Sequence, residues 1–281
     1  MRRSGSVQHA RDLGRHDHVC WSYDDIADFR DRAREYLAEG LALGQRVRYV
    51  TAGDDTGVLS GFEEALASGA AQITSLGDTY ASGSVVVPED QVRAYAAATE
   101  EALAAGHTGL RVAAEATPLV RTPTQLAAFL RYEHLVDRYM AERPFSAMCG
   151  YDTTQLDGPA ITKLAGVHPC ANRPAPFRLH AVAVRPDGDS GPAGGVFELG
   201  GELDASGHEL LGALLERIDA GPGGLVVHAP ELSFIDHRGL LMLADSARRR
   251  GGGLVLRTRA TGAARLVEVL DIPDVRVEQI P

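Results

Sequence analysis

The sequence predicts an α/β fold in two domains: a mostly parallel sheet with helices on both faces, followed by a second α/β domain. Length supports this, because 281 residues with 44% hydrophobic side chains correspond to one large or two ordinary domains. Periodicity supports it too, because short apolar runs alternate with segments in which apolar residues recur at helical spacing. A proline-containing stretch at 171–176 (ANRPAP) is typical of a linker.

We expect the chain to divide near residue 172, into a domain at 1–171, a linker at 172–176 and a domain at 177–281. The strands predicted for the first domain are 18–23, 46–51, 71–76, 110–116 and 145–151, and its helices are 26–43, 61–70, 88–104 and 124–141. The strands predicted for the second are 177–184, 196–199, 225–228, 254–257 and 275–280, with helices near 205–220, 237–250 and 263–270 and a turn-rich segment at 186–195.

Charge and composition exclude several function classes. The net charge of −10 disfavours non-specific binding to nucleic acids and anionic membranes. Lys163 is the only lysine, and it does not lie in a G-x-x-x-x-G-K-[ST] phosphate loop. Three cysteines are too few for a disulfide framework, and no run reaches the length of a membrane span. We therefore expect a cytoplasmic protein with reduced thiols that binds neither nucleic acid nor membrane.

Imidazole and thiol side chains recur in the first domain. His16, His18 and Cys20 are spaced by two, so on an extended strand they share one face. Cys149 ends a later strand, and His168 lies shortly before the linker. These side chains ligate zinc, iron or copper, but the spacing is not that of a zinc finger. A metal site that includes His16, His18 and Cys20, a small-molecule pocket and plain core packing all remain open.

The small-molecule hypothesis predicts one pocket near the carboxyl ends of the strands, where ligands bind in doubly wound sheets. Its predicted lining is His18, Cys20, Trp21, Glu115, Cys149 and His168. Trp21 is the only tryptophan and is equally suited to core packing. Glu133 and His134 are interpreted as parts of ordinary surface pairs on a helix. A second hypothesis is oxidation of Cys20, whose thiol pKa a protonated histidine would lower.

The first domain resembles the MEDS family of sensory domains. The resemblance lies in residues 18–25 (HVCWSYDD), 39–47 (EGLALGQRV), 110–113 (LRVA), 115–117 (EAT), 132–133 (YE), 149–152 (CGYD) and 168–169 (HP). It implies a RecA-like or KaiC-like core without a phosphate loop, and a small metabolite or hydrocarbon-derived molecule as the signal.

Residues 177–281 resemble a STAS domain, the fold of bacterial anti-sigma factor antagonists. The resemblance rests on 201–204 (GELD) and 232–240 (LSFIDHRGL), in which Asp236 is placed as a helix N-cap. In that family a serine follows this aspartate and is phosphorylated by an anti-sigma kinase, but here His237 follows it. The resemblance implies partner binding by Asp204, Asp236, His237, Arg238 and Gly239. A simple cap beside a surface histidine is the alternative.

Together these observations predict a bacterial signalling protein of the anti-sigma factor antagonist type rather than an enzyme. The MEDS-like domain would receive a small-molecule signal or a metal ion, and the STAS-like domain would bind an anti-sigma factor or a switch kinase. A metal- or nucleotide-dependent enzyme with a regulatory STAS domain is one alternative, and a scaffold of a larger assembly is another. Whether the chain forms a homodimer stays open.

Overall fold

The computed structural model describes residues 3–53, 57–79, 85–181, 196–217 and 222–281. The chain divides into two compact units, Met1–Pro174 and Ala175–Pro281. Both units combine strands and helices, so the predicted α/β fold class is confirmed. The turn-rich segment predicted at 186–195 and the end of the helix predicted at 205–220 lie outside the described residues.

The first unit is built on a seven-stranded parallel sheet. Its strands are β1 (Gly5–Ser6), β2 (His18–Tyr23), β3 (Arg46–Thr51), β4 (Ala71–Ser75), β5 (Leu110–Glu115), β6 (Phe145–Asp152) and β7 (Cys170–Ala171). Their order across the sheet is β1-β7-β2-β6-β5-β3-β4, which places β2 and β6 near the centre. The helices are α1 (Ile26–Ala42), α2 (Glu63–Ser68), α3 (Leu76–Thr79), α4 (Pro88–Ala104), α5 (Pro123–Glu142) and α6 (Gly158–Val167).

The central strands are buried on both faces, as expected for a parallel sheet covered by helices. On one face, Val19 and Trp21 of β2 pack with Phe29 of α1 in an apolar core. Gly150 of β6 faces the same helix, and a Cβ atom there would lie 2.4 Å from the Phe29 ring. The absence of a side chain at Gly150 therefore lets α1 lie close to the sheet.

The opposite face of β2 and β6 contacts α5 and α6. Helix α5 begins with a capping box, in which the Gln125 N–H donates to Thr122 Oγ1 at 3.2 Å and the Thr122 N–H donates to Gln125 Oε1 at 3.1 Å. Pro123 occupies the first turn, where its missing N–H costs nothing. Residues Phe129, Glu133 and Asp137 recur at intervals of four and are buried, so this helix turns two carboxylates towards the core.

The second unit contains a mixed sheet. Its strands are β8 (Phe177–Ala181), β9 (Val196–Leu203), β10 (Leu225–Ala229), β11 (Leu232–Ile235), β12 (Leu254–Thr258) and β13 (Val275–Gln279). The order is β11-β9-β10-β12-β13 with parallel pairs, and β8 pairs with β9 in the antiparallel sense. The helices are α7 (His208–Arg217), α8 (His237–Arg249) and α9 (Thr261–Leu270). Across the described ranges of both units, no helix combines the length and the apolar content needed to cross a membrane.

Five elements were not predicted as such from the sequence: β1, β7, α3, α6 and β11. Helix α3 has only four residues and begins at Leu76, the last residue of the strand predicted at 71–76. The two-residue strands β1 and β7 are too short to show any periodicity. Helix α6 follows the Asp157 cap but opens with Gly158 and Pro159, a pair that usually indicates a turn. Strand β11 has only four residues, of which the middle two are exposed.

Arg111 of β5 is fully buried and ties three segments of the first unit together. Its guanidinium donates to Gln45 Oε1 at 2.7 Å, to the Leu13 carbonyl at 2.6 Å and to the Tyr36 carbonyl at 3.1 Å. It also pairs with Glu39 Oε2 at 3.0 Å and lies 4.5 Å from the centroid of the Tyr36 ring. Removal of this side chain would leave several buried acceptors without donors.

We therefore expect Arg111→Met to lower the free energy of unfolding of the first unit by about 3–5 kcal/mol. Urea unfolding followed by the fluorescence of Trp21 measures this, because the only tryptophan lies in the core of this unit. Arg93→Met is the matched control, since Arg93 forms an exposed pair with Asp90 and its loss should cost less than about 1 kcal/mol. Equal losses of unfolding free energy in the two variants would contradict the stabilising role given to Arg111.

Candidate functional site

Four side chains of types that ligate metals converge on the face of the first sheet that contacts α5 and α6. They are His18 of β2, Glu133 of α5, Cys149 of β6 and His168, which directly follows α6. Each residue contributes one nitrogen, oxygen or sulfur atom that could ligate a metal, and these four atoms all lie within 4.8 Å of one another. All four residues are buried. We refer to these four residues as the His–Glu–Cys cluster.

Strand register brings the first part of this cluster together. Strands β2 and β6 are adjacent and parallel, with His18 opposite Ala147 and Cys20 opposite Cys149. Side chains two residues apart share a face, so His18, Cys20 and Cys149 point to the same side of the sheet. Cys149 Sγ lies 3.9 Å from His18 Nε2.

The carboxylates come from α5, and here the sequence interpretation was wrong. Glu133 and His134 are buried rather than parts of surface pairs, and so is Asp137. A signal was present, because Glu133 follows the apolar Phe129 by four residues and precedes Asp137 by four. A carboxylate in the apolar stripe of a helix is unusual, and buried carboxylates concentrate at functional sites.

His18 lies between these two carboxylates. Its Nδ1 atom is 3.0 Å from Asp137 Oδ1 and its Nε2 atom is 3.0 Å from Glu133 Oε2. Burial by itself would lower the pKa of His18, but the charges of Glu133 and Asp137 outweigh it and raise the pKa. The hydrogen bond to Asp137 makes Nδ1 a donor, because an ionised carboxylate only accepts.

His168 is held in one orientation by the end of α6. Its Nδ1 atom donates to the Leu164 carbonyl at 2.7 Å, so in the neutral ring Nε2 carries a free lone pair. The His168 ring lies 4.1 Å from that of His18, centroid to centroid. Burial and the positive charge of His18 lower the pKa of His168 to about 4, which keeps this imidazole neutral near pH 7.

Glu133 is also oriented by Tyr151 of β6, whose hydroxyl donates to Glu133 Oε1 at 2.8 Å. Burial alone would raise the pKa of Glu133, but the two imidazoles and the Tyr151 hydroxyl lower it below its usual range. Glu133 Oε2 forms the ion pair with His18 Nε2 at 3.0 Å. Among the described residues, His168 Nε2 has no hydrogen-bond partner, and it lies 3.7 Å from Glu133 Oε1. The cluster therefore contains a buried imidazole nitrogen that no hydrogen bond satisfies.

Trp21 and Glu115 do not join this cluster. Trp21 lies on the α1 face of the sheet, and Glu115 is opposite Gly150, which also faces α1. Glu115 instead accepts hydrogen bonds from Tyr49 Oη at 2.6 Å and Arg30 Nε at 3.0 Å. The single pocket expected from the sequence is thus corrected to two places on opposite faces, while ligand binding at either place stays a prediction.

His16 also lies apart, because it precedes β2 and its Nδ1 atom is 2.8 Å from the Met140 carbonyl. Met140 belongs to α5, so His16 contacts the same helix as His18, but it is not one of the four residues of the cluster. Cys20 is on the cluster side, beside Cys149. Burial and the charge of Glu133 raise the pKa of the Cys20 thiol, so the expected lowering by a histidine is wrong.

In the second unit, Asp236 caps α8 as predicted. Its Oδ1 atom accepts from the Gly239 N–H at 2.7 Å and lies 2.9 Å from His208 Nε2. Burial alone would raise the pKa of Asp236, but the Gly239 N–H and His208 outweigh it and lower the pKa. His237 and Arg238 are exposed in the first turn of α8.

The other two residues predicted to bind a partner have local structural roles. Asp204 accepts from the Ser206 N–H at 2.9 Å and caps the short helical turn before α7. Gly239 is buried, and a Cβ atom there would lie 2.8 Å from the Leu203 side chain. Partner binding by these two residues and by Asp236, His237 and Arg238 stays a prediction.

The burial of all three cysteines predicts slow thiol chemistry. We expect the folded chain to react with Ellman's reagent about a hundredfold or more slowly than the chain in denaturant, because the thiolate is disfavoured and inaccessible. The time course of thiol release, with and without urea, measures this. A thiol that reacts in the native protein as fast as free cysteine, and disappears in Cys20→Ala, would restore the oxidation hypothesis.

The Asp236 cap predicts a local loss of stability. Asp236→Ala should destabilise α8 by about 1 kcal/mol, measured as faster amide hydrogen exchange corrected for intrinsic rates. Because the pKa of Asp236 is lowered on folding, its contribution is complete above the unfolded pKa and is lost as the pH falls through the folded pKa. Asp245→Ala, in an exposed pair with Arg248 on the same helix, is the control and should leave exchange nearly unchanged. The same exchange in both variants would rule out the cap as a stabilising contact.

Comparison with known protein families matches residues 17–169 to MEDS, the MEthanogen/methylotroph, DcmR Sensory domain. The match runs from just before β2 to just after α6, contains the whole His–Glu–Cys cluster and covers more than half of the chain. It confirms the resemblance of the first unit, whereas no family match supports the STAS resemblance of the second, which stays a prediction. A search of curated proteins found no match. The chain therefore belongs to the MEDS family of sensory domains.

Proposed function

We propose that this protein is a signalling regulator of the anti-sigma factor antagonist type, in which the MEDS unit receives a signal and the second unit binds a partner protein. Membership of a sensory-domain family indicates a signalling or regulatory role. The partner class, an anti-sigma factor or a switch kinase, rests on the motifs at 201–204 and 232–240. We further propose that the protein acts in the cytoplasm.

The observation that carries the sensory half is the buried His–Glu–Cys cluster. It joins β2, α5, β6 and the end of α6, so a change in its charge or ligation alters contacts among four elements at once. His168 lies seven residues before Ala175, where the second unit begins. Between them, the Asn172 side chain exchanges two hydrogen bonds of 2.8 Å with the backbone of Ser22 in β2.

This arrangement suggests how a signal leaves the first unit. The backbone of β2 is connected both to the cluster, through His18, and to the segment that leads to the second unit, through Asn172. A signal that binds two arrangements of the cluster with different affinities would change how often the protein adopts each of them, and with it the conformation of that segment. Differential affinity of this kind is the condition that any such switch must satisfy.

The partner-binding half rests on the surface around the start of α8. Phe234, at the end of β11, is 50% exposed, and His237 and Arg238 are exposed directly after it. Exposed aromatic and arginine side chains are typical of the residues that dominate binding energy at protein interfaces. The helix N-terminus and the basic side chains together favour an acidic group on the partner.

Binding rather than catalysis is proposed because the reactive groups of the first unit are buried. The cluster has no solvent-exposed ligand atom that a substrate could reach without an opening of the fold. The thiols of Cys20 and Cys149 have raised pKa values, which disfavour the nucleophilic thiolate. A metal- or nucleotide-dependent enzyme and a scaffold remain the alternatives to be tested.

The missing serine gives a direct test. The full chain is mixed with anti-sigma kinases encoded in the same genome, with ATP, and phosphate is located by mass spectrometry while binding is measured by interferometry. We expect binding without phosphorylation at position 237, and phosphorylation with weaker binding in His237→Ser, because a phosphate adds close to two negative charges. Phosphate on Ser233 or Ser206 of the unaltered chain would contradict the predicted loss of the switch.

A charge reversal locates the interface. Arg238→Glu should weaken binding about tenfold or more if the start of α8 is the contact surface. Arg248→Glu, at the other end of the same helix, is the matched control, and it should leave the affinity almost unchanged. Equal effects of the two variants, or no binding to any of the kinases, would overturn the proposed partner-binding role.

A further inference from the structure

We propose that the His–Glu–Cys cluster binds one divalent transition-metal ion of the zinc class. The ligands would be His18 Nε2, His168 Nε2, Cys149 Sγ and the carboxylate of Glu133. This site belongs to the first unit alone, and it does not depend on whether the second unit binds an anti-sigma factor. It also differs from the metal site considered from sequence spacing, because it excludes His16 and includes Glu133.

The separations of the ligand atoms fit four-coordinate binding. His18 Nε2 lies 3.0 Å from Glu133 Oε2 and 3.9 Å from Cys149 Sγ, and His168 Nε2 lies 3.7 Å from Glu133 Oε1. In a tetrahedral site with bonds of about 2.0 Å to nitrogen and 2.3 Å to sulfur, ligand atoms are about 3.3–3.5 Å apart. Small side-chain movements therefore suffice to place all four atoms around one ion.

Both imidazoles already make the Nδ1 contact that a metal-binding histidine requires. The Nδ1 atom of His18 bonds to Asp137, and the Nδ1 atom of His168 donates to the Leu164 carbonyl. Each of these hydrogen bonds directs Nε2 into the cluster. A histidine that ligates a metal through one nitrogen almost always donates from the other to a carboxylate or a carbonyl, and here both kinds of partner are present.

An unsatisfied atom distinguishes a metal site from a closed polar network. In the part of the chain that the structure describes, His168 Nε2 is buried without a hydrogen-bond partner, and the contact of Glu133 Oε2 within the cluster is the ion pair with His18 Nε2 at 3.0 Å. A buried acceptor without a donor is unfavourable, and complete polar networks avoid it. His168 Nε2 and Glu133 Oε2 point into the same space, while Glu133 Oε1 is occupied by the Tyr151 hydroxyl.

The donor chemistry selects the class of ion. Thiolate and imidazole ligands favour zinc and related first-row metals over magnesium and calcium, which prefer oxygen ligands. One thiolate and one carboxylate together compensate the charge of a divalent ion, so the ion and its four ligands would carry no net charge. Coordination displaces the proton of Cys149 Sγ and any proton on His18 Nε2, and both protons leave to solvent without any change of oxidation state.

The test measures the metal content of the full chain without a histidine tag. Protein is refolded from denaturant with Zn²⁺, dialysed against a chelator and analysed for metal per chain. We expect one bound ion in the unaltered chain and at least about a tenfold lower content in Glu133→Gln and in Cys149→Ala. Cys170→Ala is the matched control, because Cys170 is equally buried but lies in the apolar core on the α1 face, and it should retain the ion.

A second readout separates ligation from simple misfolding. Refolding with Co²⁺ should give the absorption of a thiolate–cobalt bond, which Cys149→Ala loses and Cys170→Ala keeps, while circular dichroism and Trp21 fluorescence report whether each variant is folded. Loss of the thiolate band in a folded Cys149→Ala variant supports the site. The proposal is overturned if the folded, unaltered chain retains no metal, or if Cys149→Ala and Cys170→Ala have the same metal content and the same spectra.

Discussion

The first unit depends on how it accommodates ionisable side chains in the middle of its core. Glu133 and Asp137 lie in a helix face that packs on a sheet, where an isolated carboxylate would be very costly. His18 projects from the central strand β2, and its two ring nitrogens lie 3.0 Å from carboxylate oxygens of Glu133 and Asp137. The charges of these two carboxylates raise the pKa of His18. The positions of α5, β2 and β6 are therefore coupled through charge as well as through apolar packing.

The alternation of side chains along β2 then divides the unit into two faces of different chemistry. Odd-numbered residues such as Val19 and Trp21 build the apolar core with α1, and even-numbered residues such as His18 and Cys20 meet α5. The α1 face contains its own buried charge, Arg111, which is saturated by five contacts. The α5 face differs because it brings together four side chains of types that ligate metals, His18, Glu133, Cys149 and His168, within 4.8 Å of one another.

These differences explain what the sequence could and could not predict. Strand periodicity was sufficient for β2 and β6 and for placing His18 and Cys20 on one face, and the same alternation separates Trp21 from them. Glu133 was missed because charged helical residues usually face solvent, and only its interval of four from Phe129 and Asp137 indicated burial. Short elements such as β7 depend on pairing with β2, a long-range contact that no local pattern reveals.

Anomalous X-ray scattering from crystals of zinc-loaded protein, recorded on both sides of the zinc absorption edge, tests the central claim most directly. The account predicts one peak at about 2.0–2.3 Å from His18 Nε2, His168 Nε2, Cys149 Sγ and an oxygen of Glu133. The account would be contradicted if the anomalous map showed no peak in the cluster and the electron density showed Glu133 and His168 hydrogen-bonded to protein or water. So would a peak elsewhere in the chain that leaves these four side chains unligated.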